Sequence, residues 1–537
     1  MIRSIAAGLA LAVIAASCGN GDAAAPPLIT TTTTAPSAEA DTEGSSTTAS
    51  STTSPAATGE TDEATGSAGG SLVLPAATAR QVACPAAIAG EGVACGLVDV
   101  ARDITDGRDD TITVSIATLA GYDSGFRTPM VVMQGGPGGA STDFAGWLPQ
   151  QAYTQVFVDQ RGTGFVAVDG DCPEFDASIP VSLEVAASEA ASISAEAVAA
   201  CAERANSDAA LDTVLDDATT QNHAYDVGQV MAALGYERWI AYGVSYGSTI
   251  GFELLRQPPE GLVGVVLDGV YPPDLDVDAA VAFSAEASIG AVGDACRRST
   301  ICSDYDADVE STLAGLIASL EEAPRTVTLS ANESGLGQTV DVYLDGARAA
   351  EFVFFMLYSE SLVRFLPSVL AGVEAGDESA ERWLARVGTR VLSSAYAAND
   401  EATYFSVQCH DRLPFTDDGA TAVGVFGEAM TGTPLREICP AWDKDVAYEI
   451  SGTPVTSDLP TLLLSGEFDP ITPPAYAEQA AQTLERSTVV TQAGRGHGIW
   501  IGDECIASIV QAFVADPERQ LDTGCAAVGR PVDWARP

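Results

Sequence analysis

Basic side chains are scarce. Lysine occurs once, at Lys444, and lysine and arginine together number 25 against 74 aspartates and glutamates, giving a formal charge of -49. Such a surface repels phosphates and anionic lipid heads, which argues against nucleic-acid binding or a polybasic membrane contact and leaves the acidity as a solvated exterior. Histidine is nearly as rare, with three residues, His223, His410 and His497. Any chemistry that needs an imidazole must draw on these. No C-x-x-C pair occurs, so the cysteines do not read as a zinc site. The N-terminal apolar stretch, 5–16, is too short to span a bilayer. Against these absences stand 537 residues with 46% hydrophobic and 18% charged content, a globular balance with room for a sizeable core and more than one domain.

Arg3 followed by the apolar stretch suits the h-region of an export signal, 1–17. Its end, Ala15-Ala16-Ser17-Cys18, resembles the lipobox of bacterial lipoproteins, in which the cysteine is lipidated and becomes the first mature residue. Leucine is usual where Ala15 stands, so ordinary secretion is the alternative to a membrane anchor through Cys18. Either route places the protein outside the cytoplasm, on the outer face of the cell membrane or in the medium. Disulfides persist there, and removing Cys18 from 11 cysteines leaves an even set. Parity and short loop closure lead to the expectation of five local bridges, Cys84-Cys95, Cys172-Cys201, Cys296-Cys302, Cys409-Cys439 and Cys505-Cys525, although spacing alone does not fix connectivity.

Residues 18–72 are Ala, Thr, Ser, Pro, Gly and acidic residues with almost nothing to bury, the composition of a disordered tether. After Cys84, short β-rich runs bounded by Gly or Pro alternate with helical stretches, as in a sheet wound with crossover helices. Strands are expected at 111–117, 130–133, 153–159, 239–242, 265–268, 461–465 and 487–491. Several are Val, Ile and Leu runs with little alternation, as in parallel strands covered on both faces. A helix is expected at 219–234 and another from Ser245. From 275 to 454 amphipathic stretches dominate, for example 307–320, 347–357 and 362–373. This is too long for a loop and reads as a mostly helical cap inserted between two parts of an α/β core, 73–274 and 455–537.

Gly243-Val244-Ser245-Tyr246-Gly247 follows an apolar strand and precedes a helix, the context in which G-x-S-x-G makes a sharp turn that exposes the serine. A serine hydroxyl needs a base. His223 lies in the helix before that strand, and His410 lies beside Cys409. His497 follows the last strand in a glycine-rich loop and is selected by chain order. The acid falls between nucleophile and histidine, and Asp469 sits at the carboxyl end of the 461–465 strand, suited to fix the imidazole tautomer. Glu467 and Asp268 are its rivals, Asp268 the better one. An oxyanion hole would use the Tyr246 backbone N–H and one from the loop Gln134-Gly135-Gly136-Pro137-Gly138-Gly139, with Gly136 nominated. No Lys-Ser/Thr follows those glycines, so they do not read as a nucleotide loop. Asp159 and Arg161 read as a structural clamp of the active-site loop.

Gly135-Gly136-Pro137-Gly138, Asp159-Gln160-Arg161-Gly162-Thr163-Gly164, the Ser245 pentapeptide, Gly466-Glu467-Phe468-Asp469-Pro470 and Gly496-His497-Gly498 occur in one order along the chain. In this order the chain resembles the proline iminopeptidase and tripeptidyl-aminopeptidase branch of the α/β-hydrolases, actinobacterial secreted aminopeptidases with a characteristic C-terminal region. The resemblance implies an α/β-hydrolase fold with a helical cap, no cofactor or metal, and peptide substrates with a free N-terminus cut through an acyl-enzyme. It also implies cap carboxylates that bind the substrate ammonium, for which Asp411 is a candidate. The family often has His where Gln134 stands, which bears on substrate preference rather than on the triad. A carboxylesterase or lipase on the same fold, and a catalytically silent envelope binding lipoprotein, are the alternatives. A monomer is expected.

Overall fold

Val, Ile and Leu runs too short for helices and bounded by Gly or Pro become the strands of a nine-stranded mixed sheet in the computed structural model. The structure describes residues 76–104, 110–166, 168, 170–275, 277–306, 308–412, 424–429, 435–442, 452–529 and 531–537. The export segment 1–17 with Cys18, and the tether 18–72, fall outside them. Strands β1 (Thr78–Val82), β2 (Val93–Ala101), β3 (Thr111–Leu119), β4 (Met130–Met133), β5 (Gln155–Val158), β6 (Trp239–Val244) and β7 (Leu262–Asp268) precede the cap. β10 (Thr461–Gly466) and β11 (Ser487–Gln492) follow it, and a hairpin of β8 (Arg325–Leu329) and β9 (Val340–Leu344) lies within it. The order across the sheet is β1-β2-β3-β5-β4-β6-β7-β10-β11. The pairs from β5 to β11 are parallel, and those from β1 to β5 antiparallel.

Strand alternation assigns each side chain to one of two faces. Leu462 and Leu464 of β10 pack with Ile506, Val510 and Phe513 of the helix Glu504–Ala515. Leu463 turns to the other face, among Ala477 and the helices Thr220–Ala233 and Tyr246–Arg256. Both faces are therefore dry, and each buried Leu or Val contributes about 1.5–3 kcal/mol. Because β4, β6, β7, β10 and β11 all run parallel, their carboxyl ends open on one edge, where α/β sheets bind ligands.

The strands expected from sequence all form. β1 and β2 are additional, as is the β8–β9 hairpin, which makes the cap less purely helical than its periodicity implies. The stretch 362–373 is broken into Glu360–Val363 and Leu366–Glu374, with Pro367 in the first turn of the second helix, where its missing N–H costs nothing. The division at 275 also needs correcting. Between β5 and β6 three helices, Pro173–Leu183, Ala187–Ser207 and Ala209–Leu215, leave the sheet and pack on cap residues: Phe175 lies edge-on to Tyr396 and Phe405, and Val198 and Leu211 share a cluster with Ile438 and Trp442. Trp534 of the C-terminal tail joins the cap core with Leu366 and Val369. The cap layer is thus built from three separate stretches of chain.

The ten cysteines of the described residues pair as expected, at Cα–Cα separations of 5.1, 5.4, 5.0, 5.3 and 6.0 Å for Cys84-Cys95, Cys172-Cys201, Cys296-Cys302, Cys409-Cys439 and Cys505-Cys525. Among the described residues no helix is long and apolar enough to cross a membrane.

Candidate active site

Ser245 sits between β6 and the helix Tyr246–Arg256 with φ 57° and ψ -125°, the one non-glycine residue with positive φ among those described. Holding it there costs about 1–3 kcal/mol. Its neighbours explain why the turn survives. A Cβ on Gly243 would fall 2.0 Å from the Gly247 carbonyl oxygen, and one on Gly247 would fall 2.3 Å from that of Met133. Only glycine at both positions lets strand, turn and helix close. The Ser245 N–H donates to the Asp268 carbonyl at 2.9 Å, and the Ser248 hydroxyl donates to the Ser245 carbonyl at 2.5 Å.

Asp469 leaves the end of β10, and His497 lies five residues beyond β11. His497 Nδ1 and Asp469 Oδ2 are 2.8 Å apart, with the carboxylate fully buried and the imidazole 13% exposed. The carboxylate is held by the Ile471 and Thr472 N–H groups at 3.0 and 2.8 Å, and by the Thr472 hydroxyl at 2.6 Å. Thr472 Oγ1 also lies 3.1 Å from His497 Nδ1. Sequence reasoning missed Thr472; its signal was a threonine three residues after the acid, placed for an Asx-type turn. Burial by itself pulls the His497 pKa down, but the Asp469 charge and hydrogen bond, together with the Asp268 charge, outweigh it and leave the imidazole above its ordinary 6.5.

Gly269 lies between the Ser245 turn and the imidazole. A Cβ there would lie 2.9 Å from His497 Cε1, and the Gly269 carbonyl shares the Ser248 hydroxyl with Ser245, at 3.3 Å. Next to His497, Gly498 packs on Val244, whose Cγ2 would be 3.3 Å from a Cβ on the glycine. Ser245 Oγ and His497 are not hydrogen-bonded to each other in this structure. Such bonds are commonly long before substrate is seated and tighten in the Michaelis complex.

Both rival acids have other work. Asp268 is wholly buried; its Oδ2 accepts the Ile499 and Trp500 N–H groups at 3.0 and 2.8 Å and the Tyr242 hydroxyl at 2.9 Å. It therefore anchors the loop that carries His497. Burial raises its pKa, and these donors and His497 counter the rise. Glu467 accepts the Gly494 N–H at 2.8 Å and faces Arg298 at 3.2 Å.

The glycine loop after β4 stands against the serine. A Cβ on Gly135 would lie 2.6 Å from Ser245 Cβ, and one on the neighbouring Gly136 would lie 2.7 Å from Asn399 Oδ1 of the cap. The loop is shaped by Gln160, whose Nε2 donates to the Gln134 and Gly135 carbonyls at 3.1 and 2.9 Å while its Oε1 accepts the Gly138 N–H at 2.9 Å. Gln160 is the second residue missed, hidden between the two charges that drew attention. Those charges are indeed structural. Asp159 accepts Ser115 Oγ at 2.5 Å and the Thr142 N–H at 2.8 Å, and burial pushes its pKa up to about 7. Arg161 forms a two-pronged pair with Asp226, at 2.7 and 2.8 Å.

Asp411 needs correcting. It is buried, and its Oδ2 takes the Thr220 N–H at 2.6 Å and the Thr220 hydroxyl at 2.5 Å, so the start of a core helix occupies the carboxylate that was expected to meet substrate. Of the cap acids, Asp400 stands at the glycine loop instead: its N–H donates to the Gly138 carbonyl at 2.9 Å, and its carboxyl lies near that of Asp171. Burial and the facing Asp171 push the Asp400 pKa well up.

Sheet order, parallel strands and the turn at Ser245 define an α/β-hydrolase fold. The family described as alpha/beta hydrolase fold matches residues 128–286, and the TAP-like protein family matches 423–525. The chain is 28% identical over 144 residues to the proline iminopeptidase of Neisseria gonorrhoeae, covering 27% of this chain and 33% of that one. It is 24% identical over 321 residues to the serine protease Hip1 of Mycobacterium tuberculosis (strain ATCC 25618 / H37Rv), covering 55% and 59%. The chain thus spans about a third of the length of the proline iminopeptidases it matches. Among solved structures, the proline iminopeptidase of Mycobacterium smegmatis is similar over 75% of this chain and 95% of its own, at 15% identity and a TM-score of 0.37. The likeness is to peptidase-like hydrolases.

Proposed function

We propose that this protein is an exported serine exopeptidase that releases amino acids or short peptides from a free N-terminus, with Ser245 as nucleophile, His497 as base and Asp469 as the acid that orients it. The supporting observation is the meeting, at one sheet edge, of a strained serine turn with an imidazole already paired to a buried carboxylate. His497 takes the Ser245 proton as the hydroxyl attacks the scissile carbonyl, and returns it to the leaving amine. The Tyr246 and Gly136 N–H groups receive the developing oxyanion. Water then attacks the acyl-serine with the same base. In this reading Asp171 and Asp400 meet the substrate amine.

The test compares aminoacyl and tripeptidyl arylamides with their N-acetylated forms and with short acyl esters. Turnover lost on acetylation is expected; rapid ester cleavage without amide turnover would make the protein an esterase. Run on intact cells with a membrane-impermeant substrate, the same assay reads location. Activity should stay with the cells and move to the medium in Cys18→Ser, and activity found only after lysis would end the export reading.

The base works as neutral imidazole, so activity is lost as pH falls through the pKa of folded His497. Asp469, Asp268, the Thr472 hydroxyl and the Tyr358 ring, 5.2 Å away, surround it, and the two carboxylates hold the midpoint above 6.5. A kcat/KM profile should show one acid limb centred above that value. A flat profile down to pH about 5, well below the ordinary histidine range, would remove His497 as the base.

A further inference from the structure

Behind the Ser245 turn lies a buried chain of polar groups that the triad does not use. The Arg161 N–H points at His223 Nε2 at 3.4 Å, so that nitrogen accepts and the proton of the neutral ring sits on Nδ1. Nδ1 faces the Tyr246 hydroxyl at 3.1 Å and donates to it. Tyr246 then has its own proton for Thr220 Oγ1, at 2.9 Å, and Thr220 gives its proton to Asp411 Oδ2, at 2.5 Å. Each hydroxyl accepts one proton and passes on one, so the chain has a single direction, ending on a carboxylate. His223 is kept neutral by burial and by the Arg161 charge, which lower its pKa to about 3.

The chain joins two distant parts of the molecule. Asp411 belongs to the cap, on the short π-helical turn Gln408–Arg412 whose Cys409 is bridged to Cys439. Tyr246 is the residue immediately after the nucleophile, and its backbone N–H is the proposed oxyanion donor. We propose that Asp411 and Thr220 are positioning residues for catalysis, fixing the oxyanion side of the nucleophile turn through the Tyr246 hydroxyl and so tying its geometry to the seating of the cap. This rests on the serine-hydrolase reading above.

Tyr246→Phe and Thr220→Val remove links with little change of shape, and Thr220→Ser keeps the hydroxyl. The readouts are the rate constant of fluorophosphonate labelling, the kcat and KM of an arylamide, the midpoint of the acid limb, and Tm. Tyr246→Phe and Thr220→Val should label and turn over about ten- to a hundredfold more slowly, as expected for a small displacement at the reacting centre. KM should stay within about twofold, the mark of an interaction realised in the transition state. The acid limb should not move, since His497 is untouched, and Thr220→Ser should recover the rate. Folded Tyr246→Phe and Thr220→Val chains with wild-type labelling rates would overturn the proposal, as would a Thr220→Ser chain as slow as Thr220→Val. If Thr220→Val does not fold, Tyr246→Phe decides alone. Failure of the wild type itself to label would instead refute the hydrolase reading.

Discussion

Ser245→Ala should abolish fluorophosphonate labelling and lower kcat by about a millionfold, because loss of a triad nucleophile removes the acyl-enzyme route altogether and leaves only binding and oxyanion stabilisation. The fold should not suffer. The backbone at Ser245 is held by its N–H on Asp268, its carbonyl on Ser248 and the glycines around it, none of which involves the Ser245 hydroxyl. Alanine meets the same cost at φ 57° as serine does. Tm should therefore stay within a few degrees, the shift of about 1 kcal/mol or less usual for a change without loss of packing. Labelling that persists in Ser245→Ala would place the nucleophile elsewhere and refute the assignment.

What could be read in advance follows from which constraints leave a pattern in sequence. The Ser245 turn was legible because steric exclusion writes itself as glycine: Gly243 and Gly247 are dictated by carbonyl oxygens 2.0 and 2.3 Å from where their Cβ atoms would be. The parallel strands were legible because burial on both faces enforces unbroken aliphatic runs, as in Leu462-Leu463-Leu464. Gln160 escaped because its hydrogen bonds go to a loop more than twenty residues away, brought near only by tertiary structure. Thr472 escaped because its bond to Asp469 is a local turn contact, and a threonine three residues after an aspartate does not by itself mark a catalytic acid. Asp411 was misplaced for a related reason. In a chain with 74 acidic residues, adjacency to a histidine and a cysteine says little about where a carboxylate points. β1 is largely exposed, so no apolar signal announces it. The three helices from Pro173 to Leu215 are rich in alanine and serine, whose small side chains blur the period of a buried face.

Asp469→Asn and Asp268→Asn should part company, and the contrast tests the acid more sharply than either change alone. Both carboxylates are buried and both lie near His497, so proximity does not choose between them. Their partners do. Asp469 receives the imidazole N–H itself, and an asparagine amide turned toward Nδ1 donates where the carboxylate accepted, forcing the proton to Nε2 where the serine needs a lone pair. A loss of about 10⁴-fold in kcat with near-native Tm is expected for that wrong tautomer. At Asp268 the donors are the Ile499 and Trp500 N–H groups and the Tyr242 hydroxyl. Asparagine can keep its oxygen at the Oδ2 position for all three, but its amide then faces the Ile499 N–H, which Oδ1 also accepts at 2.9 Å. The penalty falls on the loop as about 1–3 kcal/mol of lost stability. The fall in kcat is then smaller and follows from a less firmly seated imidazole. Stopped-flow turnover and thermal unfolding of the two variants separate these outcomes. An Asp268→Asn protein that folds normally yet loses activity to the Ser245→Ala level, beside an active Asp469→Asn protein, would transfer the orienting role to β7. The sheet permits that exchange, since both acids rise from the carboxyl ends of adjacent parallel strands paired Leu464 to Asp268. What opposes it is the 2.8 Å contact that His497 makes with one of them.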